Sequence, residues 1–197
     1  MLRERLKSKR VILGSGSPRR KQLLEGLDLD FTVETRETDE SWPGHLSEEG
    51  IPQHIALIKS LAFGELREDT VLITADTIVW AQNKAVNKPA NEAEAKAMLA
   101  SLSGETHYVY TGVVVRTHKG SNVFSDETVV EFRTFSDEEI DYYVKTYRPF
   151  DKAGAYGAQD WLGYIGIERL DGCYYNVMGL PVRKVYKALK ELGRRPY

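Results

Sequence analysis

The chain has 197 residues, a length that suits one large domain or two small ones. Hydrophobic residues make up 42% and charged residues 28%, which excludes a mainly disordered chain, a collagen-like fibre and a disulfide-stapled miniprotein. The formal net charge is −2, so no basic excess is available to bind duplex phosphates, and we expect no nucleic acid partner.

The cysteine content and the apolar runs indicate a cytoplasmic protein without a membrane partner. Cys173 is the single cysteine and cannot form an intramolecular disulfide, which fits a reducing compartment. No apolar run approaches the roughly 18 residues that a membrane-spanning helix needs. Residues 1–10 hold five basic side chains and no apolar signal core, and we expect them to form a frayed basic leader before the first strand.

The first half of the chain alternates between strand and helix patterns. Short apolar runs bounded by turn residues predict strands, and apolar residues at helical spacing predict helices. In chain order we predict a strand at 10–14, a helix from 18, a strand at 31–35, a helix from 52, a strand at 70–75 and a further apolar run at 78–80. Ser17 is a good N-cap, and Pro18 suits the first helical position because an N–H there would have no partner in the helix.

The second half predicts a long hairpin between capped helices. Ser136 and Glu139 form a capping box, and Asn91 with Glu94 nearly forms another. In chain order we predict a helix ending at 102, strands at 106–117 and 122–135, a helix at 137–147, a loop punctuated by glycines, two short strands and a helix from 181.

The alternation of strands and helices predicts a mixed α/β fold with one elongated central sheet flanked by helices. No internal repeat, low-complexity tract or linker interrupts the sequence. We therefore expect a single domain over residues 1–197, with two lobes around a cleft.

The segment Ser15-Gly16-Ser17-Pro18-Arg19-Arg20 lies between a predicted strand and a predicted helix. The free N–H groups and the partial positive charge of a helix N-terminus attract anions. Arg19 and Arg20 add guanidinium groups that match the oxygens of a phosphate. The pattern is neither a P-loop nor a dinucleotide-binding fingerprint, so an ordinary capped helix with two solvated arginines is an equal alternative.

Asp76 follows the predicted strand at 70–75, and strand ends in α/β sheets open into ligand clefts. A carboxylate in such a place can bind a metal ion or act as a base. The alternative is a turn-capping aspartate that bonds its own backbone, with Thr77 beside it as an ordinary strand residue. Asp39 and Glu40 form a second acidic pair in a polar loop, for which simple solvation is the alternative.

Two lysines and a glycine-rich loop are further candidates. Lys59 interrupts the apolar run at 55–62, and Lys88 precedes a proline, although most lysines are simply solvated. The loop 151–159 combines small residues, which allow a ligand close to the backbone, with Gln159, whose amide can read the edge of a base. The four histidines show no metal-ligand spacing with one another or with the cysteine, so we expect no zinc site.

Together these segments resemble the Maf family of nucleoside triphosphate pyrophosphatases, also called septum formation inhibitor proteins. The matching strings follow the family's order: Ser15-Gly-Ser-Pro-Arg-Arg20, Ala75-Asp76-Thr77, Lys88-Pro89, Leu102-Ser-Gly104 with His107, Thr111-Gly112, Asp151-Lys-Ala-Gly-Ala-Tyr-Gly157 with Gln159, and Val177-Met-Gly-Leu-Pro181. Each string is weak alone, whereas the ordered set is highly specific. The form of the loop at 151–159 resembles the branch that acts on dTTP and UTP rather than the 7-methyl-GTP branch.

The resemblance implies an ITPase-like fold and hydrolysis between the α and β phosphates of a nucleoside triphosphate, with a divalent cation, Mg²⁺ or Mn²⁺. It implies that Asp76 is the catalytic proton acceptor and that Glu40 and Asp76 hold metal. Arg19, Thr77 and Gln159 fall on the family positions that are linked to substrate choice. The residues that fall on the family positions expected around the substrate phosphates are Ser15, Arg20, Lys59 and Lys88.

The family favours glycine after Gln159, where this chain has Asp160-Trp161-Leu162. A bulky charged segment there would narrow the base pocket or change its preference, so 7-methyl-GTP and modified pyrimidine nucleotides are alternative substrates. A nucleotide-binding regulator of cell division is the alternative from another class of function. The sequence also leaves open whether the chain forms a homodimer.

Overall fold

The computed structural model describes residues 1–192, which form a mixed α/β fold with helices flanking an open sheet, as the sequence predicts. The strands are β1 (Arg10–Leu13), β2 (Thr32–Val33), β3 (Thr70–Ala81), β4 (Lys84–Val86), β5 (Thr106–Thr117), β6 (Gly120–Phe132) and β7 (Ile167–Asp171). The helices are α1 (Leu2–Leu6), α2 (Pro18–Glu25), α3 (Gly50–Leu61), α4 (Glu92–Leu102), α5 (Asp137–Tyr147), α6 (Trp161–Gly166), α7 (Tyr174–Val177) and α8 (Val182–Glu191). The strand order is β2-β1-β3-β5-β6-β7, and β4 pairs with β3. None of the helices in residues 1–192 is both long and apolar enough to cross a membrane.

The chain folds into two compact units, each assembled from separate stretches of sequence. Unit 1 comprises residues 1–76, 111–126 and the stretch that begins at Gly179, and unit 2 comprises residues 77–110 and 127–178. Boundaries between the units fall inside strands β3, β5 and β6. The expected single domain with two lobes around a cleft stays a prediction.

Unit 1 contains the parallel part of the sheet, where β1 pairs with β2 and with β3. Residues 11–13 and 70–76 are buried, as expected for parallel strands that are covered on both faces. Thr74 Oγ1 donates a hydrogen bond of 2.7 Å to the carbonyl oxygen of Ala56. This buried bond joins strand β3 to helix α3.

Gly112 lets strand β5 lie close to the first turn of α3. A Cβ atom at this position would lie 2.3 Å from the backbone nitrogen of Gln53 and 2.3 Å from the backbone carbon of Pro52. Such an approach is shorter than van der Waals contact allows, so any side chain here would displace the helix. Packing alone is a sufficient reason for glycine in the Thr111-Gly112 string.

Unit 2 is built on antiparallel strand pairs and an aromatic core. The last residues of β3 pair with β4, and β6 pairs with β7, both antiparallel. Helices α4 and α5 pack against each other. The ring of Phe132 on β6 meets the rings of Phe135 and Tyr156 edge to face, an arrangement that adds to the stabilisation from burial. The loop that carries Tyr156 is thereby anchored in the core.

The predicted helix starts are confirmed where a side chain caps the helix. Ser17 Oγ accepts a hydrogen bond from the backbone N–H of Arg20 at the start of α2, and Asn91 caps α4 in the same way. Ser136 and Glu139 form the complete capping box of α5. The predicted bounds of α5 and β5 are also confirmed.

The expectation of a frayed basic leader is wrong, because residues 2–6 form helix α1. Leu2 and Leu6 are four residues apart, so they share one face of the helix, and both are buried. Helix α1 packs against α8, and Arg5 donates a hydrogen bond of 3.3 Å to the carbonyl oxygen of Leu192. The leucine pair packs helix α1 against the rest of unit 1, while the basic side chains of the helix remain exposed.

Strand β3 continues through Asp76 instead of ending before it. Ile78 and Val79 are β-branched and buried, and Val79 pairs with Val86 of β4. The pairing partner extends the strand beyond the predicted boundary. Asp76 is therefore an interior residue of a strand rather than a strand-end residue.

The segment after the glycine-rich loop also differs from the prediction of two short strands. Among the described residues, β7 is the one strand there, and it lies between helices α6 and α7. Gly163 lies inside α6, where a Cβ atom would be 2.2 Å from the carbonyl oxygen of Ala158. Glycine serves close packing at this point rather than a turn.

Candidate active site

Residues before and within the first turn of α2 form a polar loop in unit 1. Ser15 is buried, and its Oγ accepts hydrogen bonds of 3.3 Å from the backbone N–H of Ser17 and from Nη1 of Arg20. Arg20 Nε also donates to the carbonyl oxygen of Gly179 over 2.8 Å. These contacts hold a guanidinium group at the end of the helix where free N–H groups attract anions.

Arg20 shares an electrostatic environment with two carboxylates. Burial lowers the pKa of its guanidinium, the charge of Asp76 opposes this shift, Arg19 adds to it and Glu40 opposes it. Arginine nevertheless stays protonated in proteins at neutral pH. The positive charge on α2 therefore interacts with the negative charges of Asp76 and Glu40.

Lys59 lies between the same two carboxylates. Its Nζ is 2.7 Å from Oδ1 of Asp76 and 3.1 Å from Oε1 of Glu40. The side chains of Lys59 and Asp76 are 16% and 12% exposed, whereas that of Glu40 is 48% exposed. We call Glu40, Lys59 and Asp76 the carboxylate–lysine cluster. It combines an ion pair that is largely removed from water with a third, water-accessible carboxylate.

Three parts of unit 1 supply the cluster. Asp76 comes from strand β3, Lys59 from the last turn of helix α3, and Glu40 from the connection at 34–49. That connection contains no helix or strand, and loops of such length in compact folds usually carry a function. A long loop is thus held at the sheet by one of its carboxylates.

The donor set of the cluster fits a divalent cation. Mg²⁺ is usually held by one or two carboxylates together with substrate phosphates and water, and Glu40 and Asp76 already share one cation, the ammonium group of Lys59. Within residues 1–192 no group of three or more histidine, cysteine, aspartate or glutamate side chains is arranged to hold a metal ion. A divalent cation at the cluster would therefore also need oxygen ligands from the substrate or from water.

Gln159 lies in unit 2, in the turn before α6. Its Oε1 is buried and has no hydrogen-bond partner among the described residues. Its Nε2 lies 2.8 Å from the position that a Cβ atom on Gly157 would take. Because an unpaired buried acceptor costs free energy, this oxygen is suited to accept a hydrogen bond from a ligand.

Three residues that the sequence analysis did not assign to the site surround this turn. Tyr143 Oη donates to Oδ2 of Asp160 over 2.9 Å and accepts from the backbone N–H of Gly157 over 3.2 Å. Lys152 Nζ lies 3.6 Å from the same carboxylate oxygen and 2.8 Å from Oδ1 of Asp151. Tyr143 has the spacing of an ordinary core position on α5. The sequence signals of this network are Asp160, which departs from the family pattern, and Lys152, which lies in one of the family strings.

The remaining candidates are Arg19, Thr77 and Lys88. Arg19 is half-buried on α2 in unit 1, Thr77 is half-buried where β3 enters unit 2, and Lys88 is exposed after β4. The structure brings the polar loop of α2 and the carboxylate–lysine cluster together in unit 1. The expected convergence of Lys59 and Lys88 stays a prediction, since Lys88 belongs to unit 2.

His107, which belongs to one of the family strings, lies in the core of unit 2. It is fully buried, and its Nε2 is 2.7 Å from the hydroxyl oxygen of Tyr156. Its ring also contacts the ring of Phe132. Burial lowers the pKa of His107 to about 4, so the imidazole is neutral near pH 7.

Known proteins resemble this chain along almost its whole length. The family model described as Maf-like protein matches residues 10–192. A dTTP/UTP pyrophosphatase of Flavobacterium johnsoniae is 47% identical over 193 residues, which cover 98% of this chain and 100% of that protein. A dTTP/UTP pyrophosphatase of Parabacteroides distasonis is 49% identical over 189 residues, which cover 95% of this chain and 98% of that protein.

Among solved structures, a HAM1 protein from Coxiella burnetii covers 93% of this chain and 99% of its own, at 13% identity. Its TM-score is 0.49. The family model and relatives that are nearly half identical from end to end show the family. On those two grounds the chain belongs to the Maf family.

Proposed function

We propose that the chain hydrolyses dTTP and UTP to the nucleoside monophosphate and pyrophosphate, in the cytoplasm. The carboxylate–lysine cluster carries the proposal, in a chain whose relatives at 47% and 49% identity are dTTP/UTP pyrophosphatases. Hydrolysis of a phosphoanhydride needs a group that accepts a proton from water and cations that neutralise phosphate charge. The cluster and the polar loop of α2 contain both.

Asp76 is the proton acceptor in this proposal. Water is a poor nucleophile near neutral pH, so transfer of its proton to a carboxylate lowers the barrier. As the water oxygen bonds to the α-phosphorus, the bond from that phosphorus to the bridging oxygen breaks, and pyrophosphate leaves with the electron pair. Lys59 Nζ, 2.7 Å from Oδ1 of Asp76, holds the carboxylate in one orientation.

Basic side chains bind the phosphates in this proposal. The guanidinium group of Arg20 is held by Ser15 and Gly179, and a fixed guanidinium matches phosphate oxygens in pairs. Lys59 and Lys88 add ammonium groups. Positive charge at these positions stabilises the negative charge that moves onto the leaving pyrophosphate.

Glu40 and Asp76 are the residues that would hold a divalent cation, Mg²⁺ or Mn²⁺. Such a cation, when bound, polarises phosphate oxygens and neutralises part of their charge. Because the cluster supplies two carboxylates, we expect triphosphate oxygens to complete the coordination. Cation affinity should accordingly be higher in the presence of nucleotide.

Gln159, together with Arg19 and Thr77, selects the base. Uracil and thymine share a ring N–H between two carbonyl groups, whereas cytosine has an unprotonated ring nitrogen at that position. The buried Oε1 of Gln159 lacks a partner among the described residues and can accept a hydrogen bond from the ring N–H. A site built to accept such a bond discriminates against a base that lacks the donor.

Pyrophosphate release from a panel of nucleotides tests this proposal. The chain is incubated with Mg²⁺ or Mn²⁺ and with dTTP, UTP, CTP, GTP or 7-methyl-GTP. We expect dTTP and UTP to have the highest kcat/KM, with one monophosphate formed for each pyrophosphate. Release of single phosphates, or a preference for 7-methyl-GTP, would contradict the proposal. Nucleotide binding without turnover of any triphosphate would favour the regulatory alternative.

A further inference from the structure

We propose that Asp160 is a positioning residue that discriminates between pyrimidine bases by holding the side-chain amide of Gln159 in one orientation. The inference rests on the proposed function, because it assigns the base selectivity of the same site. All residues concerned belong to unit 2 and lie in the turn at 157–160 or in the side chains packed around it.

Asp160 is itself held from two sides. Tyr143 Oη donates to its Oδ2 over 2.9 Å, and Lys152 Nζ lies 3.6 Å from the same oxygen. The side chains of Lys152 and Asp160 are only 12% and 17% exposed. The Tyr143 hydroxyl also accepts from the backbone N–H of Gly157 over 3.2 Å. The carboxylate, the hydroxyl and the turn are therefore one hydrogen-bonded unit.

Tyr143 keeps the proton that this arrangement needs. Burial, together with the negative charge of Asp160, raises the pKa of the Tyr143 hydroxyl. A protonated hydroxyl donates to the carboxylate and still accepts from Gly157. The direction of both hydrogen bonds is thus defined.

Gly157 brings the side chains of Asp160 and Gln159 to the same small space. A Cβ atom on Gly157 would lie 2.7 Å from Oδ2 of Asp160 and 2.8 Å from Nε2 of Gln159. The missing side chain leaves room for both groups. The amide of Gln159 faces this space with its nitrogen, and its buried Oε1 has no partner within the described part of the chain.

The charge of Asp160 accounts for the orientation of the amide. An ionised carboxylate only accepts hydrogen bonds, so it attracts the amide N–H₂ group and repels the amide oxygen. A half-turn of the Gln159 amide would bring Oε1 towards the carboxylate, and burial leaves that repulsion weakly screened. Oε1 is consequently kept from turning towards Asp160 and remains available as an acceptor.

An acceptor in a fixed position distinguishes the pyrimidines. A freely rotating amide offers a donor or an acceptor and would match either uracil or cytosine. With Asp160 in place, the ring N–H of uracil or thymine is matched, whereas the bare ring nitrogen of cytosine faces a second acceptor. Selectivity then arises from a repulsive contact with the wrong base as well as an attractive contact with the right one.

Steady-state kinetics of Asp160→Asn with UTP and CTP tests the inference. Asparagine preserves the size of the side chain but presents either an oxygen or an N–H₂ group, so the Gln159 amide regains both orientations. We expect kcat/KM for UTP relative to CTP to fall about ten-fold, mainly through KM for UTP, with kcat within about two-fold of wild type. Asp171→Asn, the same change at an exposed residue of β7, is the matched control and should keep the wild-type ratio.

Tyr143→Phe is a second variant, in which Asp160 keeps its charge. Loss of the hydroxyl releases the carboxylate from the turn, so the UTP to CTP ratio should fall in the same direction. The double variant should show no further fall, because both changes act through one hydrogen-bonded unit. Thermal unfolding of each variant establishes that the kinetic changes belong to folded protein.

The activity of the wild-type protein distinguishes failure of the proposed function from failure of the inference about Asp160. If the wild type hydrolyses no pyrimidine triphosphate, the proposed function fails and the inference falls with it. If the wild type prefers UTP to CTP and Asp160→Asn keeps both the ratio and the KM, the inference is overturned and the proposed function stands. Additive effects of Asp160→Asn and Tyr143→Phe would overturn the inference as well.

Discussion

Lys59 Nζ donates a hydrogen bond of 2.7 Å to Oδ1 of Asp76, across the contact between helix α3 and strand β3. A second hydrogen bond joins the same helix and strand. Thr74, two residues before Asp76, donates to the carbonyl of Ala56, three residues before Lys59. Residues two apart share a face of a strand, and residues three apart share a face of a helix. The hydrogen bond of the buried Thr74 thus joins β3 to α3 close to the ion pair of Lys59 with Asp76.

Asp76→Asn should remove most of the pyrophosphate release from a chain that stays folded. Asparagine keeps an oxygen for the hydrogen bond from Lys59 but cannot take up a proton, so kcat for dTTP should fall about 10²–10⁴-fold. A pyrophosphate assay measures the loss, and circular dichroism checks the fold. Turnover at the wild-type rate by a folded variant would refute the role assigned to Asp76.

Lys59→Met should lower stability as well as activity. The substitution leaves the Asp76 carboxylate, 12% exposed, without its cation, which costs about 1–3 kcal/mol in the free energy of unfolding. The double variant with Asp76→Asn should recover part of this loss, because the unbalanced charge is gone. Urea denaturation measures both changes.

Lys21→Met is the matched control for this prediction. Lys21 Nζ lies 3.7 Å from Glu25 on the exposed surface of α2, so its loss should change the free energy of unfolding by less than about 0.5 kcal/mol. Similar losses of unfolding free energy in Lys59→Met and Lys21→Met would show that the ion pair with Asp76 stabilises the fold no more than an exposed ion pair does.

Gly112→Ala should destabilise the protein and impair catalysis together. The new methyl group would lie 2.3 Å from the backbone of Pro52 and Gln53, so helix α3, which carries Lys59, has to move. Overpacking of this kind costs about 1–3 kcal/mol. Thermal unfolding and pyrophosphate release are the measurements. Gly44→Ala, where a Cβ would meet nothing within 4 Å, is the control and should leave stability close to wild type.

His107 should make stability depend on pH. Burial lowers its pKa in the folded protein to about 4, from an ordinary value of 6.5 that we take for the unfolded chain. Between these values the unfolded chain binds the proton more tightly, so acid favours unfolding. The contribution is fully present above about pH 6.5 and should be lost progressively down to about pH 4, by about 3 kcal/mol in total.

Urea denaturation at several pH values between about 4 and 7 measures this dependence. His107→Gln should show a shallower change of unfolding free energy with pH in that range, whatever its absolute stability. His118→Gln, at an exposed position, should keep the wild-type slope. A wild-type slope in His107→Gln would exclude this histidine as the origin of the effect.

Features that depend on neighbours along the chain could be predicted without the fold. The caps at Ser17 and Ser136 and the bounds of α5 and β5 follow from contacts within a few residues or from long uninterrupted patterns. The ordered motif strings also identified the family, because a motif is recognised from its residues alone and requires no knowledge of the fold. The family resemblance implied the seven candidate substrate-binding residues and the two candidate metal ligands, of which Lys59 and Glu40 lie outside the quoted strings.

The contacts between residues far apart in sequence could not be predicted and are known from the structure. It placed Glu40, Lys59 and Asp76 in one cluster, extended β3 past Asp76 and joined Tyr143 to Asp160. The physical reason is the same each time: a strand continues while a neighbouring strand pairs with it, and a charge is buried where a partner from elsewhere in the chain compensates it. Spacing along the sequence carries no record of those partners, whereas the packed fold brings them within hydrogen-bond distance.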